Sequence, residues 1–160
     1  MPAVSASSTP FQGLWIPLVT PFHDGAVDHP SLARMTKKLA GQGIAGFVAC
    51  GSTGEAAALD KAEQLAVLET VLDASQGLPV VMGLSGYHLG QTLEWVQPLA
   101  QYPLAGLLVP APHYIRPSQD GLLLWFRALA DASAAPLVIY DIPYRTGATL
   151  ATDRKVSISR

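Results

Sequence analysis

Cysteine, charge and long apolar segments are all scarce in this sequence of 160 residues. Cys50 is its one cysteine, which excludes a disulfide framework and any zinc site built on several cysteines. Charged residues make up 14% of the chain and the formal net charge is −2, so no basic surface is available to hold nucleic acid or an anionic membrane. No apolar run approaches the roughly 20 residues of a membrane-spanning helix.

Hydrophobic residues are abundant, at 49% of the chain. This fraction excludes disorder as the main state, and the length fits about one domain. It also exceeds what a small monomer needs to bury, so we expect a homo-oligomer. Residues 1–10 contain neither Lys nor Arg and no apolar segment, so they are not typical of a secretory signal. We therefore expect a cytoplasmic protein.

Five short apolar segments alternate with amphipathic segments of helix length. The apolar segments hardly alternate with polar residues, which is typical of parallel strands buried on both faces. Repeated strand–helix units of this kind indicate either an open doubly wound sheet or part of a (β/α)₈ barrel. No G-x-G-x-x-G motif follows the first predicted strand, and no G-x-x-x-x-G-K-[ST] motif is present, which disfavours the dinucleotide-binding and P-loop forms of the open sheet. The predicted strands are residues 14–20, 46–51, 79–83, 105–109 and 136–140.

The helix boundaries follow from capping residues. Asp28 or Ser31 is predicted to begin the first helix, and Asp60 with Glu63 forms a capping-box pattern at the second. A third helix is predicted at residues 90–101. The fourth begins after a cap and ends at about residue 132, with Ser118 and Asp120 as the alternative caps.

Hydroxyl groups and glycines follow the second predicted strand, in Gly51-Ser52-Thr53-Gly54-Glu55. A tight turn of this composition presents several backbone N–H groups, which can hold a carboxylate or phosphate. The alternative is an ordinary Gly/Ser loop. Both architectures place chemistry at the carboxyl ends of the strands, so this turn is a candidate anion site.

Aromatic and basic side chains follow the fourth and fifth predicted strands. A proline-rich loop carries His113 and Tyr114; without further context, a packing loop is the favoured reading. Tyr140 ends the fifth strand, and Arg145 can bind a carboxylate as a bidentate fork. Together these groups suit a carboxylate-bearing substrate and a reaction that moves protons. The other histidines are not spaced as metal ligands, so we predict no metal: His23, His29 and His88.

Three motifs carry a resemblance to a known family: residues 51–55, Tyr114–Gly121 and Tyr140–Gly147. In this order, and at matching intervals from about Gly13 to Leu150, they resemble the dihydrodipicolinate synthase family. These are class I, Schiff-base aldolases, a group that also contains N-acetylneuraminate lyase. The resemblance implies a TIM barrel, of which this chain has about five of eight units, and a homotetramer. It implies condensation of pyruvate with L-aspartate-4-semialdehyde in lysine biosynthesis, with no cofactor; another pyruvate-dependent aldolase or lyase remains the alternative.

The resemblance also implies roles for individual residues. Ser52 and Tyr140 match the proton-relay hydroxyls, and Tyr114 matches a relay tyrosine that reaches into the adjacent subunit. Thr53, with the N–H groups of the loop that Gly51 opens, matches the pyruvate carboxylate site.

Two further positions at the fifth strand bear on the second substrate. Arg145 matches the arginine that binds the carboxylate of the semialdehyde. Asp141 stands where the family has Asn, so it adds a negative charge near the site and leaves the exact substrate open.

The Schiff-base lysine of the family lies a little under thirty residues beyond the Tyr140 position, so this chain is expected to contain none. None of the four lysines has a sequence context that would lower its pKa, since each lies in a helix or in the polar tail: Lys37, Lys38, Lys61 and Lys155. We therefore predict an inactive chain with a lead-in at residues 1–11, a partial barrel at 12–150 and an aberrant or truncated tail at 151–160. Two non-enzymatic hypotheses are a fragment that self-associates or pairs with a full-length relative, and a small-carboxylate binding module.

Overall fold

A computed structural model of the protein describes residues 11–151. All five predicted strands are present, each within a few residues of the expected bounds. The predictions for residues 1–10 and 152–160 lie outside the described residues. Within the described range the strands are β1 (Trp15–Pro17), β2 (Phe22–His23), β3 (Ala26–Val27), β4 (Gly46–Ala49), β5 (Val80–Gly83), β6 (Gly106–Pro110) and β7 (Leu137–Tyr140).

Five of these strands form one parallel sheet in the order β1-β4-β5-β6-β7. The register aligns Phe47 with Val80 and Met82 with Leu107, so apolar side chains stack in rows across the sheet. This arrangement confirms the predicted parallel α/β fold. Strands β2 and β3 form a separate antiparallel pair, which the sequence did not reveal because two-residue strands have no periodicity to detect.

Helices connect consecutive strands of the sheet. Asp28, rather than Ser31, caps the first helix, and its side chain accepts a hydrogen bond from the backbone of Ser31. The capping box of Asp60 and Glu63 is confirmed, and Ser118 caps the fourth helix. In the described residues the helices are α1 (His29–Ala40), α2 (Lys61–Ala74), α3 (Leu89–Leu99), α4 (Gln119–Ala132) and α5 (Pro143–Thr146), with a 3₁₀ turn at Ala56–Ala58.

Burial falls from the middle of the sheet to its edges. All four residues of β5 are buried, whereas all four residues of β7 are only half-buried. Edge strand β1 ends at Pro17, whose missing N–H is tolerated there because β1 has a neighbour on one side only. Over residues 11–151 no helix combines the length and apolarity that a membrane crossing requires. The core lies between the sheet and the helices, and its largest fully buried side chains include Phe47, Phe126, Leu32, Leu68 and Met82.

Candidate active site

The carboxyl ends of β4, β5, β6 and β7 surround a cavity of about 420 Å³, here called the main cavity. Three predicted site side chains line it: Ser52, Tyr140 and Arg145. Gly51 also lines it, as does His113, for which a packing role is the favoured prediction from the sequence. The parallel topology explains the convergence, because the residues that follow each strand emerge at the same edge of the sheet.

The turn after β4, residues 50–59 and here called the β4 loop, is held by backbone geometry. Cys50 and Glu55 adopt left-handed φ angles of 52° and 53°. The N–H of Gly54 donates to the carbonyl of Gly51 at 3.1 Å, and the N–H of Glu55 donates to the carbonyl of Ser52 at 3.3 Å. These two reversals turn the chain back on itself directly above the sheet, with Ser52 exposed at the cavity.

Gly54 permits close contact between the β4 loop and the end of β1. A Cβ atom at this position would lie 2.9 Å from the carbonyl oxygen of Leu18 and 3.4 Å from the hydroxyl of Thr20. The buried hydroxyl of Thr20 donates to the carbonyl of Gly54 at 2.7 Å. The second glycine of the Gly-Ser-Thr-Gly motif, Gly54, is therefore also required for the packing of the loop against the end of β1.

Helix α2 fixes the other side of the β4 loop. The side-chain amide of Gln64 donates to the carbonyls of Ala56 and Leu59, at 3.0 and 3.1 Å. The buried thiol of Cys50 donates to the carbonyl of Gln64 at 3.6 Å. Burial raises the pKa of Cys50 to about 12, so the thiol is protonated and is no nucleophile at neutral pH.

Arg145 extends from the short helix α5 at the mouth of the main cavity. Its Nε donates to the hydroxyl of Tyr144 at 3.2 Å, and its guanidinium carbon lies 5.5 Å from the centre of that ring. The hydrogen bond with Tyr144 is the main cause of the raised pKa of Arg145. Both side chains are exposed, so the cation is presented to solvent at the entrance.

The loop after β6, residues 111–117 and here called the β6 loop, begins on a buried anchor. The indole N–H of Trp125 donates to the carbonyl of Pro110 at 3.3 Å. Further along, Tyr114 and Arg116 have left-handed φ angles of 73° and 46°. Tyr114 is 88% exposed and is not among the residues that line the main cavity, whereas His113 is half-buried and lines it.

Two other predicted positions also lie outside the lining of the main cavity. Thr53 is exposed within the β4 loop, next to Ser52. Asp141 accepts hydrogen bonds from the hydroxyl of Thr149, at 3.0 Å to each carboxylate oxygen. The negative charge introduced by Asp141 is therefore directed towards Thr149.

A second cavity of about 450 Å³, here called the side cavity, adjoins the main cavity. Lys61 lines it, with Nζ lying 4.4 Å from the centre of the Trp95 ring. Burial lowers the pKa of Lys61, so the prediction that no lysine has such an environment is wrong at this position. The cause is the fold, which buries part of Lys61 and places it beside Trp95, more than thirty positions away in the sequence.

Lys61 does not share the main cavity with Ser52 and Tyr140, because it is not among the residues that line it. Its lowered pKa therefore does not make it a nucleophile at that site. Lys37 and Lys38 are exposed on α1, and Lys155 lies outside the described residues. In the part of the chain that the structure describes, no group of three or more His, Cys, Asp or Glu side chains is arranged to hold a metal ion.

Comparisons with known proteins identify relatives of this chain. A model described as the dihydrodipicolinate synthetase family matches residues 10–157. A 4-hydroxy-tetrahydrodipicolinate synthase of Pelobacter propionicus is 40% identical over 88% of this chain and 49% of its own length. The chain therefore spans about half the length of the curated relatives it matches.

Solved structures give the same result for the fold. Dihydrodipicolinate synthase of Aquifex aeolicus is 30% identical with a TM-score of 0.88, and the match covers 92% of this chain and 51% of that one. The enzyme of Acinetobacter baumannii, solved in complex with pyruvate, is 31% identical with the same TM-score and the same coverage. These matches confirm the predicted resemblance and the partial (β/α)₈ barrel.

Proposed function

Since this chain belongs to the dihydrodipicolinate synthetase family, we propose that it forms the pyruvate-binding part of an aldolase that condenses pyruvate with L-aspartate-4-semialdehyde. The product of that reaction is 4-hydroxy-tetrahydrodipicolinate, on the route to lysine. The observation that carries the proposal is the meeting of Ser52, Tyr140 and Arg145 at one cavity at the carboxyl ends of the strands. Pyruvate bound to the Acinetobacter baumannii relative supports the choice of the first substrate.

In this proposal the β4 loop holds the carboxylate of pyruvate. Its exposed Ser52 and Thr53 supply hydroxyl donors, and backbone N–H groups near Gly51 supply more. Tyr140 and Ser52 carry protons to and from the reacting atoms. Arg145, exposed at the entrance, binds the carboxylate of the incoming aldehyde as a bidentate donor.

The nucleophile is proposed to come from polypeptide outside these 160 residues. Aldol condensation by this route needs a lysine iminium, because the iminium draws electrons from the adjacent methyl group and makes it acidic. Hydroxyl groups such as Ser52 and Tyr140 move protons but cannot supply that electron sink. The chain alone is therefore expected to bind pyruvate without condensing it at the rate of a full-length relative; loss of a covalent nucleophile commonly costs several orders of magnitude.

Reductive trapping tests the absence of the nucleophile. The purified chain is incubated with pyruvate and borohydride, and adducts are located by mass spectrometry of its peptides. The full-length synthase of Pelobacter propionicus serves as the positive control. We expect an adduct on the control and none at stoichiometric yield on this chain. A stoichiometric adduct on Lys61 or Lys155, with product formation that disappears in the corresponding Lys→Ala variant, contradicts the proposal.

Pyruvate binding tests the remainder of the proposal. Calorimetric titration of the unmodified chain is expected to show saturable binding of pyruvate, weakened about tenfold in Ser52→Ala and little changed in Arg145→Gln, since Arg145 is proposed to bind the aldehyde. Lys37→Gln removes an exposed positive charge from α1 and is the matched control for net charge. Absence of binding to the unmodified chain contradicts the proposed site.

A small-carboxylate binding module is the second candidate function. It is favoured by one specific observation, namely that within residues 11–151 no lysine is among the residues lining the main cavity. Saturable pyruvate binding without a lysine adduct on this chain, and with no gain in turnover when the chain is mixed with the Pelobacter propionicus synthase, favours this function over the aldolase.

We also propose that the protein works in the cytoplasm as an assembly, a homotetramer or a pair with a full-length relative. In the described part of the chain β1 and β7 are the edge strands of the sheet, and large side chains that follow β6 and β7 are exposed, among them Tyr114, Ile115 and Tyr144. Tyr114, 88% exposed, is proposed to reach the adjacent subunit. Sedimentation of the chain alone and with the full-length relative tests this; a monomer under both conditions contradicts it.

A further inference from the structure

The main cavity and the side cavity share one wall. Four residues line both, namely Ala56, Ala57, Ser85 and His113. Of these, only His113 carries a titratable side chain. A single imidazole therefore stands between the space beside Ser52 and Tyr140 and the space beside Lys61.

His113 is held in this position by its neighbours. Ala111 and Pro112 before it are buried, and its carbonyl accepts a hydrogen bond from the N–H of Ile115 at 2.9 Å. The ring of Tyr87 meets the imidazole edge-on, with centroids 5.4 Å apart and planes at 78°. These contacts hold the imidazole of His113 at the wall between the two cavities, unlike a surface histidine without such neighbours.

We propose that His113 is the side chain of the β6 loop that binds and exchanges a proton with a 2-oxo acid in the main cavity of its own chain. The inference rests on the proposed function and deepens it. Tyr114, the adjacent ring, is 88% exposed and does not line this cavity, so it is available to a neighbouring subunit instead.

The chemistry of imidazole suits this position. One ring nitrogen can donate a hydrogen bond to the carboxylate or keto oxygen of the ligand. When the carboxylate binds, its negative charge favours the imidazolium, and the ring takes up a proton from water. The same proton can later pass to a reacting oxygen in the main cavity, and the ring is recharged from water in the side cavity, so no proton is lost or created.

Other titratable and charged groups also face the two cavities. Those of the main cavity are Cys50, Glu55, Tyr140 and Arg145. Those of the side cavity are Asp60, Lys61, Tyr87 and His88. Glu55 is the carboxyl group among those that line the main cavity, so its variant serves as a control for His113.

Proton uptake on binding tests the inference. Pyruvate is titrated into the unmodified chain at about pH 6.5–7 in buffers of different ionisation enthalpy, which gives the number of protons taken up per pyruvate bound. We expect net uptake by the unmodified chain. In His113→Gln we expect no uptake and an affinity about tenfold lower, since glutamine retains a donor but cannot be protonated.

Two control variants separate His113 from its surroundings. Glu55→Gln and His88→Gln are expected to keep the uptake of the unmodified chain. Proton uptake that persists in His113→Gln, or that disappears in Glu55→Gln, overturns the inference. Either result leaves pyruvate binding, and therefore the proposed function, intact. Absence of pyruvate binding to the unmodified chain contradicts both.

A second measurement does not depend on the folding of a variant. The ring protons of the four histidines are followed by NMR in the unmodified chain as pyruvate is added. We expect the His113 signals to move at saturation and those of His23 to stay in place, because His23 lies in the hairpin of β2 and β3. Unchanged His113 signals with bound pyruvate overturn the inference.

Discussion

The β4 loop and the β6 loop both follow buried strands, yet they build their parts of the cavity differently. In the β4 loop the left-handed residues Cys50 and Glu55 bracket the turn, and backbone hydrogen bonds hold it. In the β6 loop the left-handed residues are Tyr114 and Arg116, both exposed. The first loop presents backbone and hydroxyl groups at the cavity. The second carries two adjacent rings, of which His113 lines the main cavity and Tyr114 does not.

This difference predicts how far substitutions in each loop affect the stability of the protein. The β4 loop packs its backbone against β1, β5 and α2, so a change there disturbs the whole sheet. The β6 loop is anchored at its start by Trp125 and is open to solvent beyond His113. We therefore expect the largest effects of substitution at contacts of the β4 loop and the smallest at the exposed end of the β6 loop.

Gly83→Ala is expected to have the largest effect. A Cβ atom at Gly83 would lie 2.1 Å from the carbonyl oxygen of Cys50, which is backbone and cannot rotate away. The strand β5 and the β4 loop must separate, at a cost of about 3 kcal/mol or more in the free energy of unfolding. Urea denaturation followed by circular dichroism measures this.

Gly51→Ala is the matched control for Gly83→Ala. Its Cβ atom would meet a Val48 methyl carbon at 3.6 Å, an ordinary contact. We expect a change within about 0.5 kcal/mol. Equal destabilisation by the two substitutions would show that the close packing of the β4 loop on β5 is not the cause.

The buried thiol of Cys50 gives the β4 loop a dependence on alkaline pH. Burial raises its pKa from 9.0 to about 12, so between these values the unfolded chain loses a proton that the folded chain retains. The contribution to stability is complete below pH 9 and is lost as the pH rises towards 12. The free energy of unfolding should fall by up to about 1.4 kcal/mol per pH unit in this window.

Cys50→Ala isolates this effect from the other groups that titrate above pH 9. Its stability should decline less steeply with pH than that of the unmodified chain in parallel urea titrations. Parallel slopes for the two proteins would contradict the assignment to the thiol.

Gly147→Ala tests the support of the β6 loop. Gly147 has a φ of 69°, and a Cβ atom there would lie 2.6 Å from Nε of Arg116, whose side chain can move. Backbone strain and displacement of Arg116 together should cost about 2 kcal/mol. Gly25→Ala, at a φ of 81° with nothing within 4 Å, should show the strain alone, about 1 kcal/mol. Thermal unfolding of both variants gives the difference, and equal losses would exclude a role for the Arg116 contact.

Tyr114→Phe should have the smallest effect on stability of the isolated chain. The side chain is 88% exposed, so removal of its hydroxyl should change the free energy of unfolding by less than about 0.5 kcal/mol. A larger loss in the same urea assay would show that the exposed end of the β6 loop contributes to the fold, and the contrast with the β4 loop would then disappear.

The parts of the site that follow from topology were predictable from the sequence. Tyr140 ends an apolar strand, whereas Ser52 and Arg145 come shortly after one, and a parallel sheet brings such positions to one edge. The choice between His113 and Tyr114 was not predictable in this way, because it depends on a left-handed φ at Tyr114 that no residue pattern specifies. The motif resemblance led to Tyr114, and the structure adds His113.

Lys61 illustrates a second limit of sequence reasoning. Its place at the start of α2 follows from the capping box, but its contact with Trp95 depends on how α2 and α3 sit on the sheet. The lowered pKa of Lys61 comes from its burial, which periodicity does not reveal.

The strand order β1-β4-β5-β6-β7 has a consequence for the synthesis of the protein. Each strand of the sheet pairs with the sheet strand made just before it, so a strand emerging from the ribosome always finds its partner already present. Among the described residues, each sheet strand after β1 therefore pairs with a strand that has already been synthesised. The sheet can thus grow by one strand and one helix at a time in the direction of translation, with the newest strand always at the edge.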